Sequence, residues 1–127
     1  MEMKLESMSN SELVELFKDL SVQESEAVAT LQGKRLNRLI RQRWAVKKVL
    51  RHRTGDARRE LFVLYDHDNP QVQLNVAEST YALNPARARG VMEEIASSRF
   101  LPWSAHAGIS LMMLDDGTSA LPNDPDL

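Results

Sequence analysis

The sequence predicts an all-α protein, and three observations carry that reading. Residues that cap helices recur along the chain. Between them apolar residues return at helical spacing. The one short run that could alternate as a strand, Leu61–Tyr65, lies inside a capped helical segment. Short connections between successive helices imply antiparallel neighbours, so the expected architecture is a six-helix array.

The first predicted helix starts at Ser9-Asn10-Ser11-Glu12, a capping box in which the Ser9 hydroxyl and Glu12 carboxylate each satisfy an orphan N–H. It runs from about Asn10 to Leu31, with Leu13, Leu16, Phe17, Leu20, Ala27, Val28 and Leu31 inward and a kink allowed near Ser21-Val22. Gly33 marks the turn. The second spans about Lys34 to His52 and points Leu36, Leu39, Ile40, Val46 and Leu50 inward; Gly55 suits the left-handed position past its end. Asp56 caps the third, whose inward set is Leu61, Leu64 and Tyr65. Asn69-Pro70 and Asn84-Pro85 open the fourth and fifth, each with proline where its missing N–H costs nothing. Those helices run from about Pro70 to Leu83 and Pro85 to Ser98, the fifth with Ala88, Val91, Met92 and Ile95 inward. Pro102 opens the sixth, which carries Ile109, Met112 and Met113 and ends near Gly117.

The expected organisation is a flexible leader over residues 1–8, one helical domain over 9–117 and a disordered tail over 118–127. At 127 residues the chain can bury one core. It has no cysteine, which excludes disulfides and thiolate chemistry. It shows neither a signal-peptide run nor a membrane-length apolar stretch, so the expected location is the cytoplasm, with no membrane partner.

The stretch from Asp68 to Ala77, with Asn69-Pro70 and Val72-Gln73, resembles the turn and second helix of a HEAT-type repeat. Gln73 stands where such repeats usually carry arginine. Leu36-Asn37-Arg38-Leu39, the run from Tyr65 to Val72 and the run from Leu111 to Gly117 together resemble a bacterial family catalogued as domain of unknown function twenty-nineteen. The likeness covers roughly Ser9 to Gly117. It implies a small helical fold with HEAT-like packing, in keeping with the arrangement expected from the helices themselves: an N-terminal helical hairpin followed by two HEAT-like hairpins. It carries no activity and no functional residue.

No catalytic, cofactor or metal set emerges from the residues. His52, His67 and His106 are not spaced to share an ion, and Asp66, His67 and Asp68 read as turn formers. Nucleophile motifs and phosphate-binding glycine loops are missing, so the chain is expected not to be an enzyme. Asp115-Asp116 sits at a helix C-terminus, where the dipole disfavours acids.

Charge is strongly segregated beneath the net −2. Residues 1–32 sum to −5, residues 33–59 to +10 and residues 60–127 to −7. On the second predicted helix Lys34, Arg38, Arg41 and Lys48 share the face opposite the apolar arc, flanked by Trp44 and Arg51. That face is a candidate binding surface for phosphates or an acidic protein; the competing expectation is a solvated face neutralised by acidic neighbours. Arg43 falls inside the apolar arc, as Glu24 does on the first helix. In an antiparallel hairpin turning near Gly33, Leu31 meets Leu36, Val28 meets Leu39, and Glu24 meets Arg43 as a structural ion pair that sets the register. The expected function is a non-enzymatic protein-interaction module. Nucleic-acid backbone binding through the second helix is one alternative, and an immunity or regulatory protein for a basic enzyme is another. The partner is expected to be a protein, and no cofactor is implied.

Overall fold

Ser9 opens the longest helix, α2 (Asn10–Ala29), through a reciprocal capping box: Glu12 N donates to Ser9 Oγ at 3.0 Å and Ser9 N to Glu12 Oε1 at 2.9 Å. The computed structural model describes residues 2–126; Met1 and Leu127, the ends of the expected leader and tail, lie outside the described residues. Helix α1 (Glu2–Ser7) precedes α2, and α3 (Gly33–Arg51) follows it. A 3-10 segment (Ala57–Asp66) leads to α4 (Pro70–Thr80), α5 (Pro85–Ser97) and α6 (Trp103–Asp116). A short 3-10 turn, Leu121–Asn123, lies in the C-terminal stretch. Every regular element among the described residues is helical, and the elements that cross the fold number seven rather than the expected six.

The extra helix is α1. Arg53 bonds the carbonyl of Glu6 at 3.2 Å and the side chain of Asn10 at 2.8 Å, which ties the segment expected as a flexible leader to the end of α3. The third helix is corrected in kind as well. Its buried residues include Arg58, Leu61 and Leu64, spaced by three. A helix of three residues per turn stacks such positions on one face, so 3-10 geometry buries all of them together.

Asn69 and Asn84 cap α4 and α5 by accepting from Gln71 N at 2.8 Å and Arg87 N at 3.2 Å, with Pro70 and Pro85 in the first turn. Gly55 and Gly117 both take positive φ. α2 runs unbroken through Ser21, whose hydroxyl donates to the Phe17 carbonyl at 2.8 Å.

The α2–α3 turn departs from expectation. Gly33 is the first residue of α3, and the left-handed residue is Leu31, with φ of 56°. Gln32 N reaches the Ala27 carbonyl at 2.9 Å and Leu31 N the Val28 carbonyl at 3.3 Å, the two bonds of a Schellman ending. Leu31 is therefore thrown outward, 92% exposed, and does not pack inward against Leu36.

α2 packs along α3, the 3-10 segment along α4, α4 along α5, and α5 along α6. The core is continuous through Leu13, Phe17, Val46, Leu50, Leu61, Val72, Leu74, Val76, Ala88, Met92 and Ala107, all without solvent exposure. On α6, Trp103, Ser104 and Ala107 face inward, while Ile109, Met112 and Met113 remain exposed. No helix among the described residues is long and apolar enough to cross a membrane.

Candidate functional site

The outer face of α3 carries the basic stripe. Lys34, Arg38, Arg41 and Lys48 are exposed and make no ion pair among the described residues, and Trp44 stands partly exposed beside them. From Lys34 to Lys48 the stripe is about 21 Å long at ~1.5 Å rise per residue. Acids from α2 do not reach it: Glu26 pairs with Arg35, at 3.4 Å, on the stripe's flank. Arg51 departs from the expected face. It is half-buried, with Nη1 2.8 Å from the Asp124 carbonyl and 3.2 Å from its Oδ1.

Arg51 is drawn inward by the C-terminal stretch, which was expected as a disordered tail. Here residues 118–126 fold back over the junction of α3 with the 3-10 segment. Asp124 pairs with Arg58 at 2.9 Å as well as with Arg51, and Asp126 meets His52 at 2.8 Å. Arg58 is 1% exposed and anchors this closure; it also holds Asp56 at 2.6 Å and donates to the Ser79 carbonyl at 3.1 Å. Its hydrogen bonds hold the Asp56 and Asp124 carboxyls below the ordinary carboxylate range. A buried arginine needs its full fork of donors matched, and two carboxylates plus a carbonyl do so here.

Glu24 and Arg43 are brought together between α2 and α3. Arg43 Nε lies 2.7 Å from Glu24 Oε2 and Nη2 lies 3.3 Å from Oε1, a two-point grip on a carboxylate that is 1% exposed. Asn75 on α4 donates to the same carboxylate at 3.2 Å and to Ser21 Oγ at 2.9 Å. Burial pushes the Glu24 carboxyl above its ordinary value, against the pull of Arg43 and Asn75.

The three histidines serve three separate places. His52 meets Asp126, His67 Nδ1 accepts from Asn69 N at 3.0 Å within its turn, and His106 pairs with Glu78 at 3.1 Å. The bond to Glu78 raises the His106 pKa. Asp115 pairs with Arg89 at 2.8 Å, and Asp116 turns back to Thr118.

Two features escaped the sequence reading. Arg58 carries a signal in its three-residue spacing with Leu61 and Leu64, which a helix period of 3.6 hides. Lys47 was one more cation in the basic run; the structure turns it inward, 9% exposed, on the edge of the stripe next to Trp44.

Among curated proteins none matches this chain. A crystal structure of the protein RPA1889 from Rhodopseudomonas palustris CGA009 superposes with a TM-score of 0.86 at 37% sequence identity, covering 91% of this chain and 95% of that one. The family described as "Domain of unknown function (DUF2019)" matches residues 11–115. Over that span, nearly the whole helical array from α2 to α6, the chain belongs to this family of unknown function.

Proposed function

We propose that the protein is a non-enzymatic interaction module whose α3 face docks an acidic partner protein. The observation that carries this reading is the stripe itself: four exposed cations, Lys34, Arg38, Arg41 and Lys48, unpaired among the described residues and flanked by Trp44. Unpaired charge in a row steers a complementary surface and fixes its register, while a partly exposed tryptophan supplies the apolar anchor at which binding energy concentrates. The two hairpins formed by the 3-10 segment with α4 and by α5 with α6 are read as HEAT-like, a rigid support for one helical face. The cytoplasm is the compartment this reading assumes.

A nucleic-acid backbone is the second reading, favoured by the same four cations. The charge of the rest of the molecule weighs against it. Residues 60–127 sum to −7, and Glu93, Glu94, Asp115 and Asp116 are exposed on α5 and α6. A long polyanion feels that field beyond the stripe, whereas a compact acidic surface meets only the stripe.

The experiment captures partners from an extract of the native cells on wild-type protein and on Arg41→Glu with Lys48→Glu, with and without nuclease. A protein retained by wild type, lost with the double variant and indifferent to nuclease is expected. Retention that nuclease abolishes would transfer the assignment to nucleic acid. Equal retention by both proteins would remove the stripe from the function.

A further inference from the structure

Beside Trp44, a cleft of about 150 Å³ opens between α3, the end of α4 and the C-terminal stretch. Arg43, Trp44 and Lys47 line it from α3, Glu78 and Ser79 from α4, and Leu121, Asp124 and Pro125 from the C-terminal side. The ion pairs around it leave one of its cations over. Arg43 is matched by Glu24, and Arg51 and Arg58 by Asp124 and Asp56. Glu78 is engaged by His106. Of the cations on and behind these walls, Lys47 alone has no carboxylate within ion-pair distance among the described residues, although the residue is only 9% exposed. None of its neighbours accepts a hydrogen bond from it. Every sealed side-chain nitrogen or oxygen among the described residues does have a partner, so the Lys47 ammonium is not sealed and reaches the cleft.

Burying an ammonium without a counter-charge is costly, and folding tolerates it where a ligand or solvent completes the site. Burial, reinforced by Arg43, Arg58 and Arg51, pushes the Lys47 pKa down against the opposing pull of Asp124. Asp124 and Glu78 on the same walls repel a dianion twice as strongly as a monoanion, so the group that suits the Lys47 ammonium there carries one negative charge. Trp44, Leu121 and Pro125 make the remaining wall apolar. The cleft is small and open to solvent on one side, which suits a short acid.

We propose that this cleft binds a carboxylate on a short apolar stem, with the Lys47 ammonium as its charge partner and Trp44, Leu121 and Pro125 around the stem. The carboxylate can be that of a free monocarboxylic acid or of an acidic side chain on a docked protein. The site is independent of the four exposed cations of the α3 stripe and shares only its Trp44 edge.

The test titrates the full chain with butyrate, benzoate, inorganic phosphate and a short glutamate-containing peptide. Trp44 fluorescence and the NMR signals of the Lys47 side chain report binding. Saturable binding of butyrate or benzoate in preference to phosphate, with a rise in the Lys47 pKa, is the expected result for a free acid. Binding of the peptide alone identifies the acidic side chain as the source. Lys47→Gln should weaken the response by about tenfold or more, the loss of one charge-assisted bond. Lys47→Arg keeps the charge and should retain part of it, so a fold defect in the first variant is recognised by the second. Phosphate binding as well as the acids, equal binding by Lys47→Gln in folded protein, or no response of wild type to any probe would each overturn the proposal.

Discussion

Leu31 shows how a single residue can be locally unfavourable while the motif around it is fully satisfied. Both Schellman hydrogen bonds form, yet the left-handed position that closes them is held by a leucine, 92% exposed, where glycine is the usual occupant. A side chain in that region costs about 1–2 kcal/mol, and here it buries nothing in return. Leu31→Gly should therefore stabilise the protein by about 0.5–1 kcal/mol after the extra freedom of glycine in the unfolded chain is subtracted. Urea unfolding measures it, and an unchanged or lower midpoint would show that Leu31 makes a contact worth keeping. Glu24 and Arg43 pose the opposite case, charges inside the core whose bonds are complete. Removing either strands the other, so Glu24→Leu and Arg43→Met should each cost about 3–5 kcal/mol. The double variant should cost less than either single change, because burial disfavours the charged Glu24 even with Arg43 in place. Additive losses in the double-mutant cycle would mean the two side chains act separately.

At the scale of elements, the C-terminal stretch and the 3-10 segment are joined by charge more than by apolar burial. Arg58 holds Asp56 and Asp124 together, and none of Leu121–Asn123 is buried. Both carboxyls titrate lower in the folded protein than in the unfolded chain. Their contribution is therefore complete above the ordinary aspartate range and is lost as pH falls through the depressed values. Acidification should release residues 118–126 before the helices melt, seen as early loss of amide protection in hydrogen exchange. Arg58→Met should produce that release at neutral pH and destabilise the fold by about 3 kcal/mol, since the Ser79 carbonyl loses its charged donor as well. Simultaneous loss of tail and helices in both experiments would show a single cooperative unit instead of a latch.

Across the whole molecule, the charge segregation of the sequence becomes a division of surface. Basic residues occupy the outer face of α3, and acids gather on the exposed sides of α5 and α6. Arg41 and Lys48 make no ion pair among the described residues, so Arg41→Glu with Lys48→Glu should shift folding stability by no more than about 0.5 kcal/mol per site. Thermal unfolding checks this. A large loss would mean that the stripe supports the fold instead of a partner. Binding at the stripe should also weaken as salt rises from low to physiological strength, because the Debye length falls to about 8 Å. Salt-independent binding would point to the exposed apolar row of Ile109, Met112 and Met113 on α6 in its place.

What the sequence determined by itself was local. Ser9, Asn69 and Asn84 cap helices because their side chains reach backbone N–H groups two or three residues ahead, with no help from the rest of the fold. Hydrophobic period placed most of the core, and the position of Glu24 and Arg43 in two apolar arcs was readable on the same grounds. Tertiary structure decided whatever depends on residues distant in the chain. Asp124 lies far along the sequence from Arg51 and Arg58, and only its return takes Arg51 off the basic face and lays the C-terminal stretch against α3. The same return walls the cleft in which Lys47 is left without a partner. Seen in one dimension, Lys47 is one of nine cations between Lys34 and Arg53; its difference from Lys48 is a rotation of about 100° about the helix axis. That rotation separates a solvated charge from a buried one, and only the packing of α4 and the returning chain against α3 gives it that consequence.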